Sequence, residues 1–364
     1  MTDLIHCTLD DVLELQRGHD LPATIRGNGN VPVIGSFGIT GFHDVAKYGG
    51  PGVAIGRSGA SIGVATYCAS EYWPLNTCLF VKDFRNNDPR WVFYLLDSID
   101  FSGFNSGSAV PSLNRNYLKG IPVLLPELAE QRAIAGLLGA LDDKIEANRR
   151  LARVSQDLAR AEYESAIRDN PQRLPLADLL VPVNDRNPAI RRSTPYVGLE
   201  HFDGFDLALW NFGVAEDSKS ATKVAQSGDL LFGRIRPYFG NVAVVGREAV
   251  VAQSVEVLRA KNPEFREVAY LGLSSREFID IATTLSHGTT MPQVKWNELS
   301  RVKLSVPTDE NILALHKRLL PLFELITSLP REFEYLTCLR DAMLPDLLSG
   351  RLRIKDAESM MENV

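Results

Sequence analysis

Leu125-Pro-Glu-Leu-Ala-Glu-Gln-Arg-Ala-Ile-Ala-Gly-Leu-Leu-Gly-Ala-Leu-Asp-Asp-Lys-Ile-Glu-Ala-Asn-Arg149 opens the longest uninterrupted helical pattern in the chain. After Pro126 the pattern runs to about Arg168 with no further proline and only Gly136 and Gly139. Apolar residues fall at Ile134, Leu138, Leu141, Ile145, Ala152, Leu158 and Ala161, the heptad-like spacing of one long helix. Asn148 interrupts this stripe, where a polar residue often sets register. Such a helix of ~40 residues is about 60 Å long. A second stripe follows Pro307: Leu315, Leu319, Leu322, Ile326, Leu329, Phe333, Leu336, Met343 and Leu347, with the polar Arg340 as its exception. Pro321, Pro330 and Pro345 lie inside it and predict a kinked or broken helix. Neither helix buries its stripe alone, so the two are expected to pair with each other, antiparallel.

Working outward, the chain repeats itself. Val31–Phe42 aligns with Thr194–Phe205 at an offset of 163, and Gly56-Arg57 with Gly233-Arg234 at 177. Gly107, Pro111, Leu118 and Pro126 align with Gly288, Pro292, Leu299 and Pro307 at 181. The offset grows in two steps, as it does when loops lengthen in a second copy. Val53–Gly56, Cys78–Val81, Leu230–Gly233 and Val242–Val245 read as short buried strands, and Trp91–Asp97 and Val268–Leu273 as short helices. The expectation is an α+β chain with a pseudo-two-fold internal repeat. Two globular units, residues 1–125 and 171–307, are joined by long helices at 126–170 and 308–364 that form an antiparallel coiled coil.

Composition bounds the function classes. The chain has 364 residues and a net charge of -6. Residues 1–125 carry 9 basic and 11 acidic side chains, 126–170 carry 7 and 9, 171–307 carry 16 and 15, and 308–364 carry 7 and 10. The helical segments thus hold -5 of the -6. That leaves the units able to present a basic face and argues for shared rather than stand-alone phosphate contacts. No apolar run reaches the roughly 18 residues of a membrane span, and the N-terminus lacks a signal-peptide pattern. Cys7, Cys68, Cys78 and Cys338 form no CxxC pair, and the six histidines show no metal spacing, so a cytoplasmic protein without a metal is expected.

The quoted segment closely resembles the central conserved helix of the specificity subunits of type I restriction–modification systems, through Pro126, Glu130, Gln131, Arg132, Ile134, Leu141, Asp142, Lys144, Ile145 and Asn148. Leu339-Arg-Asp-Ala-Met-Leu-Pro-Asp-Leu-Leu-Ser-Gly350 resembles that family's second conserved region. Pro126-Glu127 stands where the family often has two prolines, and Pro307–Ile312 has lost the Glu-Gln pair. The resemblance implies that each globular unit is a target recognition domain reading half of a split double-stranded DNA sequence. It implies two docked modification subunits that carry S-adenosylmethionine and methylate adenine. It also implies restriction subunits that use ATP and magnesium, and no cofactor or catalysis in this chain. Glu130, Gln131, Arg132, Asp142, Lys144 and Asn148 are the candidate docking residues, with Asp142 and Glu146 as neighbours on a solvent face.

Two loops per copy are candidates for DNA contact. The first carries Arg57, Ser58 and Ser61 in copy one, and Arg234, Arg236 and Tyr238 in copy two. A common frame with different side chains at its tip suits two domains that read different bases, and arginine pairs with guanine edges. The glycines around Arg57 lack the order and the Gly-Lys-Ser/Thr ending of a phosphate loop. The second loop carries Asn105, Ser108, Asn114 and Arg115 in copy one, and Thr289, Thr290, Gln293 and Lys295 in copy two. Asn187-Pro-Ala-Ile190 and Asn262-Pro-Glu-Phe265 lack the second proline of an adenine methyltransferase motif. Three alternatives remain: a specificity subunit of another restriction type, a fused enzyme with its own methyltransferase activity, and a coiled-coil adaptor that binds protein alone.

Overall fold

Two short antiparallel ladders tie each half of the chain back on itself: Ile5–Thr8 against Pro122–Leu125, and Gln172–Pro175 against Lys303–Val306. The computed structural model describes residues 4–104, 112–168, 171–185, 194–217 and 223–362. The chain divides into two compact units, Met1–Asp143 with Cys338–Val364, and Lys144–Thr337.

The first unit holds a four-stranded antiparallel sheet in the order Glu14–Arg17, Cys78–Asp83, Gly52–Gly56, Ala65–Cys68. Beside it in sequence, Val31–Gly35 pairs antiparallel with Gly38–His43 and parallel with Trp73–Pro74. The second unit repeats this order. Leu180–Pro182, Val255–Ala260, Leu230–Gly233 and Val242–Val244 form its four-stranded sheet. Pro195–Val197 pairs antiparallel with Gly213–Val214 and parallel with Ala249–Val251. Even the register is kept: Ala54 faces Phe80, and Leu231 faces Val257, each at the offset of 177. The central strands Gly52–Gly56 and Leu230–Gly233 are buried throughout, which is why they read as continuous apolar runs without alternation.

The first unit packs Val53, Ile55, Leu79 and Val81 of its sheet against Trp91, Val92 and Leu95 of the helix Pro89–Ser98. Asp88 caps that helix by accepting from the N–H groups of Arg90 and Trp91, and Pro89 occupies its first turn. The same core takes in Ile134, Ala135 and Leu138 of the first long helix, Leu128–Ala166, and Met343, Leu344 and Leu347 of the second, Asp309–Leu348. The second unit's core joins its own sheet and short helices to Ala152, Ala159 and Tyr163 of the first long helix and Leu315, Leu319, Phe323 and Ile326 of the second. There the helices run antiparallel: Lys144 pairs with Glu332 at 3.0 Å, Arg149 lies over the Phe333 ring at 4.4 Å, and Glu162 pairs with Arg318 at 3.0 Å.

Three expectations about these helices are corrected. Pro321, Pro330 and Pro345 do not end the second helix, which runs unbroken from Asp309 to Leu348. Burial of Leu319, Phe323, Ile326, Leu329 and Leu336 around the prolines outweighs a helix cost of about 3 kcal/mol for each. Leu158 and Ala161 fall outside the buried stripe, because they are out of phase with the alternating four- and three-residue step that Ile134, Leu138, Leu141, Ile145, Asn148 and Ala152 keep. The interior continues instead through Ala152, Ser155, Ala159 and Tyr163. Asp142 does not face solvent with Glu146. It accepts from the Tyr94 hydroxyl at 2.5 Å and pairs with Arg340 at 2.8 Å, so the polar exception in the second stripe answers a carboxylate in the first. Leu138→Ala should lower unfolding free energy by about 2–5 kcal/mol. Leu158→Ala should change it by less than about 0.5 kcal/mol. Urea titration of the purified chain measures both, and equal losses would return Leu158 to the interior.

Candidate nucleic-acid interface

Both units hold their two candidate loops together with the same hydrogen bonds. In the first unit, the Arg57 N–H donates to Thr77 O at 3.0 Å, and Arg57 O accepts from the Leu113 N–H at 2.8 Å. In the second, the Arg234 N–H donates to Ser254 O at 2.9 Å, and Arg234 O accepts from the Val294 N–H at 3.1 Å. Ser58 bridges to Ser112, and Ile235 bridges to Gln293. Every partner sits at the offset of its own segment, 177 for the first loop and 181 for the second. Gly59, at φ +74°, becomes Arg236, at φ +50°. That left-handed conformation suits glycine and strains arginine.

In the first unit the loops border an open groove of about 960 Å³. Arg57, Ser112, Asn114 and Arg115 line it, together with Arg17, His19, Asn76 and Lys82, which sequence reading did not single out. Arg17 and Lys82 sit on neighbouring strands, so only the pairing of Glu14–Arg17 with Cys78–Asp83 reveals that they share a surface. Four cations against Glu14 and Asp20 leave the groove basic in a chain that is acidic overall. Lys82 pairs with Glu14 at 2.9 Å, and the Asn76 amide is bonded to Asp20. Burial, and then the nearby Lys47, lower the pKa of His19, whose ring lies 2.9 Å from the Tyr48 hydroxyl, so the groove's histidine stays neutral near pH 7.

The remaining candidates separate by environment. Arg57 is half-buried and donates to Asn76 O at 3.4 Å; it forms no ion pair among the described residues. Ser58 is half-buried. Ser61 is corrected: it is fully buried, with its hydroxyl donating to Ser58 O at 3.0 Å, so it holds the turn. Asn114 is exposed and caps the turn Arg115–Leu118 by accepting from the Asn116 N–H. Arg115 is exposed. Asn105 and Ser108 lie outside the described residues. Arg234 pairs with Glu256 at 3.3 Å and donates to Gln253 O, and Glu256, nearly buried, also takes Lys223 at 3.3 Å. Arg236 is exposed, its guanidinium 3.4 Å from Thr290 O. Thr289, Thr290, Tyr238 and Lys295 are exposed, and Gln293 is half-buried in a bridge to His287. The Lys295 N–H and the His287 ring hold the Glu298 carboxyl below the usual carboxylate range.

The candidate docking residues also divide. Gln131 and Asn148 are each 2% exposed, which removes them from any contact surface. Gln131 donates to Asn87 Oδ1 and Pro126 O and accepts from the Asp88 N–H, fastening the long helix to the first unit. Gln156, which sequence reading did not single out, does the same for the second unit, accepting from the Leu207 N–H and donating to Asp206. Glu130 is half-buried, while Arg132 and Lys144 are exposed. Among the described residues no group of three or more His, Cys, Asp or Glu side chains could hold a metal, and no helix is long and apolar enough to cross a membrane.

Residues 4–156 match the family described as Type I restriction modification DNA specificity domain. The chain is 23% identical over 340 residues to the type I restriction enzyme MjaIX specificity subunit of Methanocaldococcus jannaschii, covering 80% of this chain and 76% of that one. It is 23% identical over 158 residues to the EcoprrI specificity subunit of Escherichia coli, covering 42% of this chain and 39% of that one. The crystal structure of a type I restriction-modification system S subunit from M. genitalium superposes with a TM-score of 0.67 at 15% identity, covering 95% of this chain and 96% of that one, and shares its fold.

The two candidate arginines of the second unit, Arg234 and Arg236, should behave oppositely. Arg234→Ala leaves the nearly buried Glu256 with Lys223 alone and should cost about 1–3 kcal/mol of stability. Arg236→Ala should leave the melting temperature unchanged. Thermal unfolding of both variants decides it, and equal losses would make Arg236 a structural residue.

Proposed function

We propose that this member of the type I restriction–modification specificity family reads a bipartite duplex target, one half-site per unit, and docks adenine-methylating modification subunits through its long helices. Residues 1–125 and 171–307 are assigned as the recognition domains, and residues 126–170 and 308–364 as the helical segments. The observation that carries the reading is the shared loop frame: the same backbone bonds in both units, with Gly59 and Ser61 in one where Arg236 and Tyr238 stand in the other. Phosphate contacts position each unit, and base-edge contacts discriminate, at about 1–3 kcal/mol for a good bidentate pair. Joining two readers in one chain multiplies their selectivity, because the second contact becomes intramolecular. Extruding the target adenine falls to the modification subunit, which supplies S-adenosylmethionine. Restriction subunits supply ATP-driven cleavage with magnesium.

The docking half of this reading is supported by a second apolar stripe. Leu151, Val154, Leu158 and Ala161, spaced by three, four and three residues, are exposed on the first long helix. A helix that is apolar on two faces presents the second to a partner helix. Replacing Leu151, Val154 and Leu158 together by serine should abolish co-purification of the modification subunit while leaving the melting temperature of the chain unchanged. Retention of that subunit at wild-type stoichiometry would place docking elsewhere. The reading of DNA is tested by selecting from a randomised duplex library with this chain co-expressed with its modification subunit, at stated salt. A split motif with a constant gap is expected. A stable protein complex that enriches no motif would demote the chain to a protein-binding adaptor.

A further inference from the structure

The tip of the second unit's recognition loop is apolar as well as cationic. Tyr238 is 48% exposed and Phe239 52%, with ring centroids 4.8 Å apart, and both follow the exposed Arg236 in one turn. The neighbouring loop contributes Met291, 62% exposed. Met291 lies between Thr290 and Pro292, the two residues whose carbonyl oxygens accept from Arg236, through its guanidinium at 3.4 Å and its backbone N–H at 2.7 Å.

Among the described residues, the matching turn of the first unit has no aromatic pair; Val110, the counterpart of Met291, lies outside the described residues. The first unit's residues at the matching positions are Gly59, the fully buried Ser61 and the half-buried Ile62, which packs on the core. In the second unit Pro237 takes the inward place, and the two aromatic rings are left outside. Large apolar groups clustered at an exposed loop tip mark an interaction site. They stand where the two copies differ, and those are the positions that must carry different base preferences if each unit reads its own half-site.

We propose that Tyr238, Phe239 and Met291 form an apolar reading surface that recognises the C5-methyl group of thymine beside the base or phosphate held by Arg236. This rests on the assignment of the units as duplex readers. The major groove offers one apolar feature, the thymine methyl, and it distinguishes A·T from the other pairs next to an arginine that selects guanine. The exposed Arg236, Thr289, Thr290 and Lys295 around the patch favour a phosphate-bearing partner over a protein one. Half-site preference in the second unit therefore combines a cation with methyl recognition, whereas the first unit reads with polar groups around Arg57 and Arg115.

The test uses the chain with its modification subunit and a duplex carrying the motif selected from the random library, with each thymine replaced in turn by deoxyuridine. That change removes one methyl and leaves the pairing edge intact. One or two positions, all in the same half-site, should bind about three- to fivefold more weakly, as expected for one buried methyl. In the double variant Phe239→Ala, Met291→Ala the thymine duplex should bind more weakly, and the difference between thymine and deoxyuridine should vanish. Uniform tolerance of deoxyuridine overturns the proposal, and so does a penalty that persists in the variant. A variant that loses the modification subunit while keeping the deoxyuridine penalty makes the patch a protein contact. Absence of any selected motif overturns the duplex-reading assignment itself and is distinguishable from both.

Discussion

Burial of the apolar stripes on the two long helices is the constraint from which the rest of the molecule follows. Neither helix has enough apolar surface of its own to shield these residues, so each stripe must meet a partner. Ile134 and Leu138 find Met343 and Leu347 in the first unit's core, and Ala152, Ala159 and Tyr163 share the second unit's core with Leu315, Leu319 and Phe323. Each long helix is therefore divided between two cores. The charged groups along it are matched across the pair: Asp142 with Arg340 in one unit, Lys144 with Glu332 and Glu162 with Arg318 in the other. Matched charges fix which turn faces which, where apolar contacts alone tolerate a slip.

Polar residues buried against this stripe carry a different task. Gln131 and Gln156 each satisfy their amide groups on the loop of one unit, so the helix is fastened to both globular parts by hydrogen bonds shielded from water. Asn148 lies between them in sequence, nearly fully buried, with no partner for its Nδ2 among the described residues. A buried amide donor left unbonded costs about 1–3 kcal/mol in the register observed.

The candidate-loop end of each unit separates frame from content. Arg57 and Arg234 use the same backbone donors and acceptors, so main-chain groups carry the geometry and side chains are released from it. What each side chain then does depends on a neighbour from a distant strand. Glu256 pairs with Arg234, whereas the matching position in the first unit is the buried Leu79, and Arg57 lines the groove. Equivalent positions in a repeat thus need not share their surroundings.

The sequence by itself determined the repeat, the two long helices and the short buried strands, and singled out two loops per copy, because each leaves a local signature: apolar spacing, glycine punctuation, or a segment that recurs at its own offset. It also marked Arg236 and Tyr238 as the positions where the copies diverge. Tertiary structure alone decided which way side chains point. Leu158 and Ala161, out of phase with the buried four- and three-residue step, turned outward, and packing carried the second helix through its prolines. Ser61 went into a turn, Gln131 and Asn148 into the interior, and Arg17 and Lys82 onto one groove wall through strand pairing. Spacing along a chain sets which element forms, whereas burial and partnership depend on residues brought from far away, such as Glu256 beside Arg234 and Arg340 beside Asp142.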